Sequence, residues 1–387
     1  MACCSGDYRW FVAAATGVQA AQLVRIAIDA SRCTVQRVTG TEHYAIELIR
    51  ALIRRNTTHD ITLYFRDQPA PDLFPPSPLV RQRVIPFPRA WTHIRFALEV
   101  WRDKPDVTFV PAHTLPVRFP GRAVVTVHDL GFRYFPEAHP AKDRLYLDWT
   151  TRYSAQRAQV ILADSEATAS DLSQFYDVPA AKIRVVYPGV EQPSAPEAPD
   201  ELARVRQKYQ LPERYFLFLG TLQPRKNIAV IVQAYQRWRR EQPDDGAGLV
   251  LAGGKGWLYD ETWASDLPGV HLTGYIDHAD KGALYTGALA LVFPSLYEGF
   301  GFPVIEAMRC GLPVIASNTS SLPELVGEAG LLVDPLDVEA IAGAMRRLRT
   351  NDTLRDQLRQ KGYLQAAAFT WDAAAEQAMN ALETAVV

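Results

Sequence analysis

Pro294-Ser295-Leu296-Tyr297-Glu298-Gly299-Phe300-Gly301-Phe302-Pro303-Val304-Ile305-Glu306-Ala307-Met308 is the stretch whose reading decides the fold of this chain. Residues 288–293 before it form an apolar, strand-like run. The stretch itself reads as a glycine-spaced loop entering a short helix, with Pro303 suited to be its first residue and Gly311 to the stop. A strand, a loop and a helix in that order place an anion site at the turn. Gly299 and Gly301 let the backbone approach a ligand closely, and the free N–H groups of the new helix favour phosphate by hydrogen bonding and dipole together. Glu298 stands in the loop and Glu306 lies about one helical turn inside, so two carboxylates reach one ligand at different depths. Carboxylates beside a phosphate site bind something other than phosphate, and sugar hydroxyls are their natural partners.

Working outward, a second constellation is Phe218-Leu219-Gly220-Thr221-Leu222-Gln223-Pro224-Arg225-Lys226-Asn227. Asn227 suits the N-cap of the helix that follows, which puts Arg225 and Lys226 just ahead of a positive helix end. Two cations there are misplaced unless an anion joins them, and a diphosphate satisfies both charges and the exposed N–H groups. A solvated basic turn is the plainer alternative for such a pair.

These motifs sit in a regular alternation. Strand-like runs at residues 24–29, 61–65, 106–110, 123–127, 160–163 and 184–187 alternate with helical patterns at 41–55, 89–101, 141–158 and 165–176. After the proline-rich residues 191–200, read as a linker, the alternation restarts with strands at 215–219, 249–252, 270–272 and 289–293. Helices are expected at 227–240 and 278–287, and from about Asp337, Asp352 and Asp372 onward. Wholly apolar strands alternating with helices indicate parallel sheets covered on both faces, with a ligand in the cleft at the carboxyl ends of the strands. A chain of 387 residues suits two such halves.

The net charge of −2 gives no global reason to bind nucleic acid. Cys3, Cys4, Cys33 and Cys310 show neither metal-site nor disulfide spacing, which fits a reduced, cytoplasmic setting. No apolar run reaches the ~18 residues of a membrane span. Residues 1–23 read as a disordered extension.

The Glu-x7-Glu spacing of Glu298 and Glu306 around Gly-Phe-Gly-Phe-Pro, the following Glu-Ala-Met, and the run from Gly311 to Ala316 together resemble the retaining glycosyltransferases of family 4. That resemblance implies the GT-B fold: two doubly wound, Rossmann-like α/β domains facing a central cleft. It implies a first, acceptor-side domain over 24–190, a linker over 191–200, a nucleotide-sugar domain over 201–371, and a final helix over 372–387 crossing back to the first domain. By the same resemblance Arg225 and Lys226 hold the donor diphosphate, Glu306 takes the ribose, Glu298 lies near the donor sugar, and His128, in Thr-Val-His-Asp-Leu, lies close to the reacting sugar. Gly40, Gly220, Gly299, Phe300, Gly301, Tyr275 and Ile276 are then expected to line the donor site. No cofactor or metal is expected, since the chain has no Asp-x-Asp site and fixed cations can stabilise a leaving diphosphate alone.

Similarity to bacterial enzymes of surface polysaccharide assembly makes mannose from GDP-mannose the first expectation for the donor, with a UDP-hexose next. The acceptor is expected to be a hydroxyl of a glycan or of a lipid-linked molecule. Residues 89–102, which carry Arg89, Trp91, Arg95, Trp101 and Arg102, are a candidate peripheral membrane contact, with a packed helix as the alternative. Two other classes share such a cleft. A nucleotide-sugar epimerase would rearrange the donor without an acceptor, and a non-catalytic nucleotide-sugar or glycan-binding protein would bind and release nothing. The absence of Gly-x-Gly-x-x-Gly after either first strand argues against a dinucleotide dehydrogenase.

Overall fold

A computed structural model describes residues 23–35, 39–138, 140–191, 199–263 and 267–387. Residues 1–22, with Cys3 and Cys4, and residues 192–198 of the expected linker lie outside the described set.

Thirteen strands form two parallel sheets among the described residues. The first holds β1 (Arg25–Asp29), β2 (Asp60–Phe65), β3 (Val80–Val84), β4 (Val107–Val110), β5 (Arg122–Val127), β6 (Val160–Ala163) and β7 (Ile183–Val185), in the order β3-β2-β1-β4-β5-β6-β7. The second holds β8 (Tyr215–Leu219), β9 (Gly248–Ala252), β10 (Val270–Gly274), β11 (Ala290–Phe293), β12 (Val314–Ser317) and β13 (Gly330–Val333), in the order β10-β9-β8-β11-β12-β13. The inner strands are buried along almost their whole length, as expected for sheets covered on both faces. In each sheet the direction of winding reverses once, between β1 and β4 and between β8 and β11. Such reversal points open a crevice at the carboxyl ends of the strands.

Three details differ from the sequence reading. Edge strand β3 was not anticipated, because Arg81, Gln82 and Arg83 give it the polar pattern of an exposed edge. The expected helix at 89–101 is in two parts, a wide turn over Thr92–Phe96 and an α-helix over Ala97–Asp103. A helix over Pro199–Lys208 begins inside the expected linker, with Pro199 in its first turn where no N–H is needed.

The last helix, Trp371–Val386, lies against Gly40–Arg55 of the first half. Its Ala374, Ala378, Ala381 and Leu382 share one core with Tyr44, Leu48 and Ile49. Ion pairs from Arg54 to Asp372 and from Arg55 to Glu376 flank that contact.

Candidate active site

Because β8 and β11 are neighbours at the reversal point of the second sheet, the loops leaving their carboxyl ends meet. Leu296 N–H donates to Arg225 O at 2.9 Å. Asn227, in the left-handed region at φ 61°, precedes the helix Ile228–Glu241 as expected. It does not cap that helix with its side chain. Its Nδ2 donates instead to Pro294 O (3.1 Å) and Pro335 O (2.6 Å), tying together the loops after β8, β11 and β13. The cap position is filled by backbone geometry alone, and the amide is spent on holding the site's walls in register.

Between these loops lie Arg225, Lys226 and Glu298. Lys226 Nζ donates to Glu298 Oε1 at 2.5 Å, and Arg225 Nη1 reaches Glu298 Oε2 at 3.3 Å and Tyr297 O at 2.7 Å. Lys226 and Glu298 are buried. Burial would raise the Glu298 carboxyl, but the Lys226 and Arg225 cations outweigh it and hold the group below its ordinary value. The anion that the Arg-Lys pair calls for is therefore supplied within the chain by Glu298. One carboxylate serves two cations, so the trio keeps one positive charge, which partly faces Asp129 across the domain junction.

Glu306 sits one turn into the helix Phe302–Arg309. It accepts from Lys281 Nζ at 3.0 Å and Tyr285 OH at 2.6 Å, and the lysine keeps it below its usual range against the effect of burial. His43 of the first half packs on Phe302, with ring centroids 5.8 Å apart. Gly40 at the start of the same helix also lies beside the Phe302 ring. Gly299 has a role the sequence did not suggest. A Cβ there would stand 2.1 Å from the His128 carbonyl oxygen, so the missing side chain is what lets the two halves meet. Gly301, at φ 115°, turns the chain into the helix, a conformation that favours glycine.

The remaining expected site residues differ in their surroundings. The Phe300 side chain is buried in the second core against Phe302 and Phe369, so only its backbone borders the loop. Ile276 is buried in that core, while Tyr275 is 64% exposed. Gly220 follows β8 and approaches Gly253 so closely that a Cβ on Gly253 would meet its carbonyl oxygen at 2.0 Å.

His128 follows β5. Its Nδ1–H donates to Asp164 Oδ2 at 2.7 Å, and its Nε2 faces Pro111 O at 3.3 Å. With an acceptor at each ring nitrogen the imidazolium is favoured. Burial alone would lower its pKa, but the Asp164 charge raises it above the ordinary value. Its backbone N–H donates to His113 Nε2 at 3.1 Å, and Tyr44 lies edge-on at 4.7 Å. Burial, with the His128 charge beside it, lowers His113 to about 4. Asp164, His113 and Tyr44 were missed by sequence reasoning. The available signal was that Asp164 ends a strand as His128 does, and β5 and β6 are paired.

The halves are also joined by two carboxylates. Tyr297 OH donates to Asp171 Oδ2 at 2.7 Å and accepts from Leu130 N–H at 3.0 Å. Glu324 of the second half accepts from Glu166 N–H (2.9 Å), Ala167 N–H (3.1 Å) and Tyr187 OH (2.7 Å) of the first. Among the described residues no cluster of three or more His, Cys, Asp or Glu is placed to hold a metal ion.

Two family models match the chain: Glycosyltransferase Family 4 over residues 38–192, and Glycosyl transferases group 1 over residues 201–365. The chain is 34% identical over 372 residues to the O-antigen chain mannosyltransferase B of Escherichia coli, covering 89% of this chain and 96% of that protein. Among solved structures, a sucrose-phosphate synthase from Thermosynechococcus elongatus superposes with a TM-score of 0.71 at 23% identity, over 92% of this chain and 98% of that one. Anabaena HepE in complex with UDP and glucose gives 0.70 at 16% identity, over 93% and 100%.

Proposed function

The chain belongs to the group 1, family 4 glycosyltransferases of GT-B fold, and we propose that it transfers mannose from GDP-mannose to a hydroxyl of a glycan or lipid-linked acceptor in surface polysaccharide assembly. The observation that carries the reading is the ion-paired group of Arg225, Lys226 and Glu298 at the reversal point of the second sheet, in the loop that leads into the helix bearing Glu306. Kinship to an O-antigen mannosyltransferase supports the sugar and the pathway class.

Breaking the bond from the anomeric carbon to a nucleoside diphosphate leaves negative charge on the diphosphate. In this reading Arg225 and Lys226 take that charge when the diphosphate displaces Glu298, and Glu298 turns to the donor sugar. Glu306, already set by Lys281 and Tyr285, accepts from the ribose. Asp164 keeps the His128 Nδ1–H, and the Nε2–H exchanges its 3.3 Å contact with Pro111 O for a hydroxyl of the sugar. The acceptor oxygen attacks from the face the diphosphate leaves, the acceptor proton passes to a leaving phosphate oxygen, and configuration is retained. Residues 89–102 would touch the membrane that carries a lipid-linked acceptor.

Incubation with GDP-mannose and a panel of glycan acceptors, followed by NMR of the new glycosidic bond, tests the proposal. An α-mannosyl product supports it. Rearranged nucleotide sugar would establish an epimerase instead, and donor binding with no GDP release would establish a binding protein.

A further inference from the structure

The first half carries a surface that the transfer chemistry does not use. On the helix Ala141–Arg157, Leu145, Tyr146 and Trp149 share one outward face and are 67%, 48% and 49% exposed. On the wide turn and helix of residues 92–103, Ile94, Leu98 and Trp101 do the same, at 45%, 58% and 52%. A helix normally turns such residues inward.

The two rows form one continuous patch. His93 contacts both Tyr146 and Trp149, and its Nε2 lies 2.8 Å from Tyr146 OH. Trp149 stacks on Tyr153. The Tyr153 hydroxyl accepts from Arg118 N–H at 3.1 Å, and Trp101 Nε1–H donates to Arg118 O at 2.6 Å. Six large apolar side chains thus lie side by side on a polar surface, where a monomer seldom exposes so much.

Charge around the patch has one dominant sign. Arg89, Arg102, Lys104 and Arg118 are exposed at its rim, and Lys142 stands at the start of the second row. The acids nearest in sequence to the first row, Glu99 and Asp103, are held by Arg83 and Arg95, while Glu137 and Asp143 are exposed acids near the start of the second row. Indole and phenol rings with a basic rim match the boundary between anionic headgroups and acyl chains. The segment that carries Arg118 between the two rows also carries His113, whose ring centroid lies 5.5 Å from that of His128 in the cleft, so the patch borders the cleft.

We propose that this two-helix face docks on an anionic lipid surface and so presents the cleft mouth to an acceptor embedded there. The helix Ala141–Arg157 supplies half of the contact, beyond the basic segment at 89–102. This deepens the lipid-linked-acceptor reading and rests on it for the acceptor alone.

The test is co-sedimentation of the full chain with phosphatidylcholine vesicles, with and without phosphatidylglycerol, on wild type, Leu145→Ser/Trp149→Ser and Arg102→Gln/Arg118→Gln. Wild type is expected to bind only the anionic vesicles and to be released by salt. The serine pair should weaken binding at least about tenfold, and the glutamine pair by about fivefold for each cation removed. Thermal stabilisation by GDP, read on each variant, reports an intact fold and donor site independently of the face. Wild type that ignores phosphatidylglycerol, or folded serine variants that still bind it, would overturn the proposal. Concentration-dependent dimerisation in sedimentation velocity, abolished by the serine pair, would overturn it in favour of a second copy on this face.

Discussion

Glu298→Gln removes the charge that Lys226 and Arg225 share, and its consequences can be worked from the geometry. The amide keeps an oxygen that can face Lys226 Nζ, now 2.5 Å from Glu298 Oε1, but the buried Lys226 and the partly buried Arg225 lose their common counter-ion. Breaking one side of a buried pair costs about 3–5 kcal/mol. The retained acceptor places this case near the lower end, about 3 kcal/mol. For a domain of this size that corresponds to a fall in Tm of roughly 6–10 °C. Lys226→Met in the same chain removes one of the orphaned charges, so the double variant should recover about 2 kcal/mol relative to the sum of the single ones. Anions should also respond. If a diphosphate displaces Glu298 as proposed, the cations of the variant stand open to it, so GDP should raise the Tm of Glu298→Gln more than that of wild type, while transfer is lost. Differential scanning fluorimetry over a GDP series, with urea denaturation for the cycle, measures all of this. A Tm fall under about 2 °C, strictly additive single and double variants, and an unchanged response to GDP would refute the idea that Glu298 neutralises the pair.

Asp164→Asn should bring the His128 pKa down. In wild type the raised value stabilises the fold fully below the unfolded pKa near 6.5 and loses that contribution as pH rises through the folded value. The stability gap between wild type and variant, read by urea denaturation, should therefore be wider at pH 5.5 than at pH 9; a gap independent of pH would argue against the pairing. Gly299→Ala should leave both cores folded but push the halves apart at His128, costing about 3 kcal/mol at that contact. Small-angle scattering should show a more open particle, and unchanged dimensions would contradict the close approach. Asn227→Ala strands the carbonyls of Pro294 and Pro335 and should lower stability by about 2–4 kcal/mol, with His128 NMR signals unmoved.

Much of this architecture was legible because its cause is local. The apolar runs of β1, β4, β5, β8 and β11 can only be buried parallel strands, and β3 escaped notice because an edge strand has no such need. The placement of Arg225, Lys226, Glu298 and Glu306 in the loops and helix after β8 and β11 could be read because glycines follow or interrupt the exits of those strands. What could not be read is set by contacts far apart in sequence. Asp164 finds His128 only through the pairing of β5 with β6, and the need for glycine at 299 comes from a carbonyl 171 positions earlier. Asn227 shows the same limit within a motif: its position at the helix start was legible, but its hydrogen bonds go to two other loops.

The helix Trp371–Val386 has a consequence for biosynthesis. The core around Tyr44, Leu48 and Ile49 stays incomplete until Trp371, Ala378 and Leu382 have left the ribosome, so the domain translated first is finished last. The second sheet and its helices, whose core draws chiefly on residues after 200, can close while the earlier half waits with an open groove. A nonsense change or proteolytic nick near residue 370 should therefore damage the half of the molecule most distant from it in sequence.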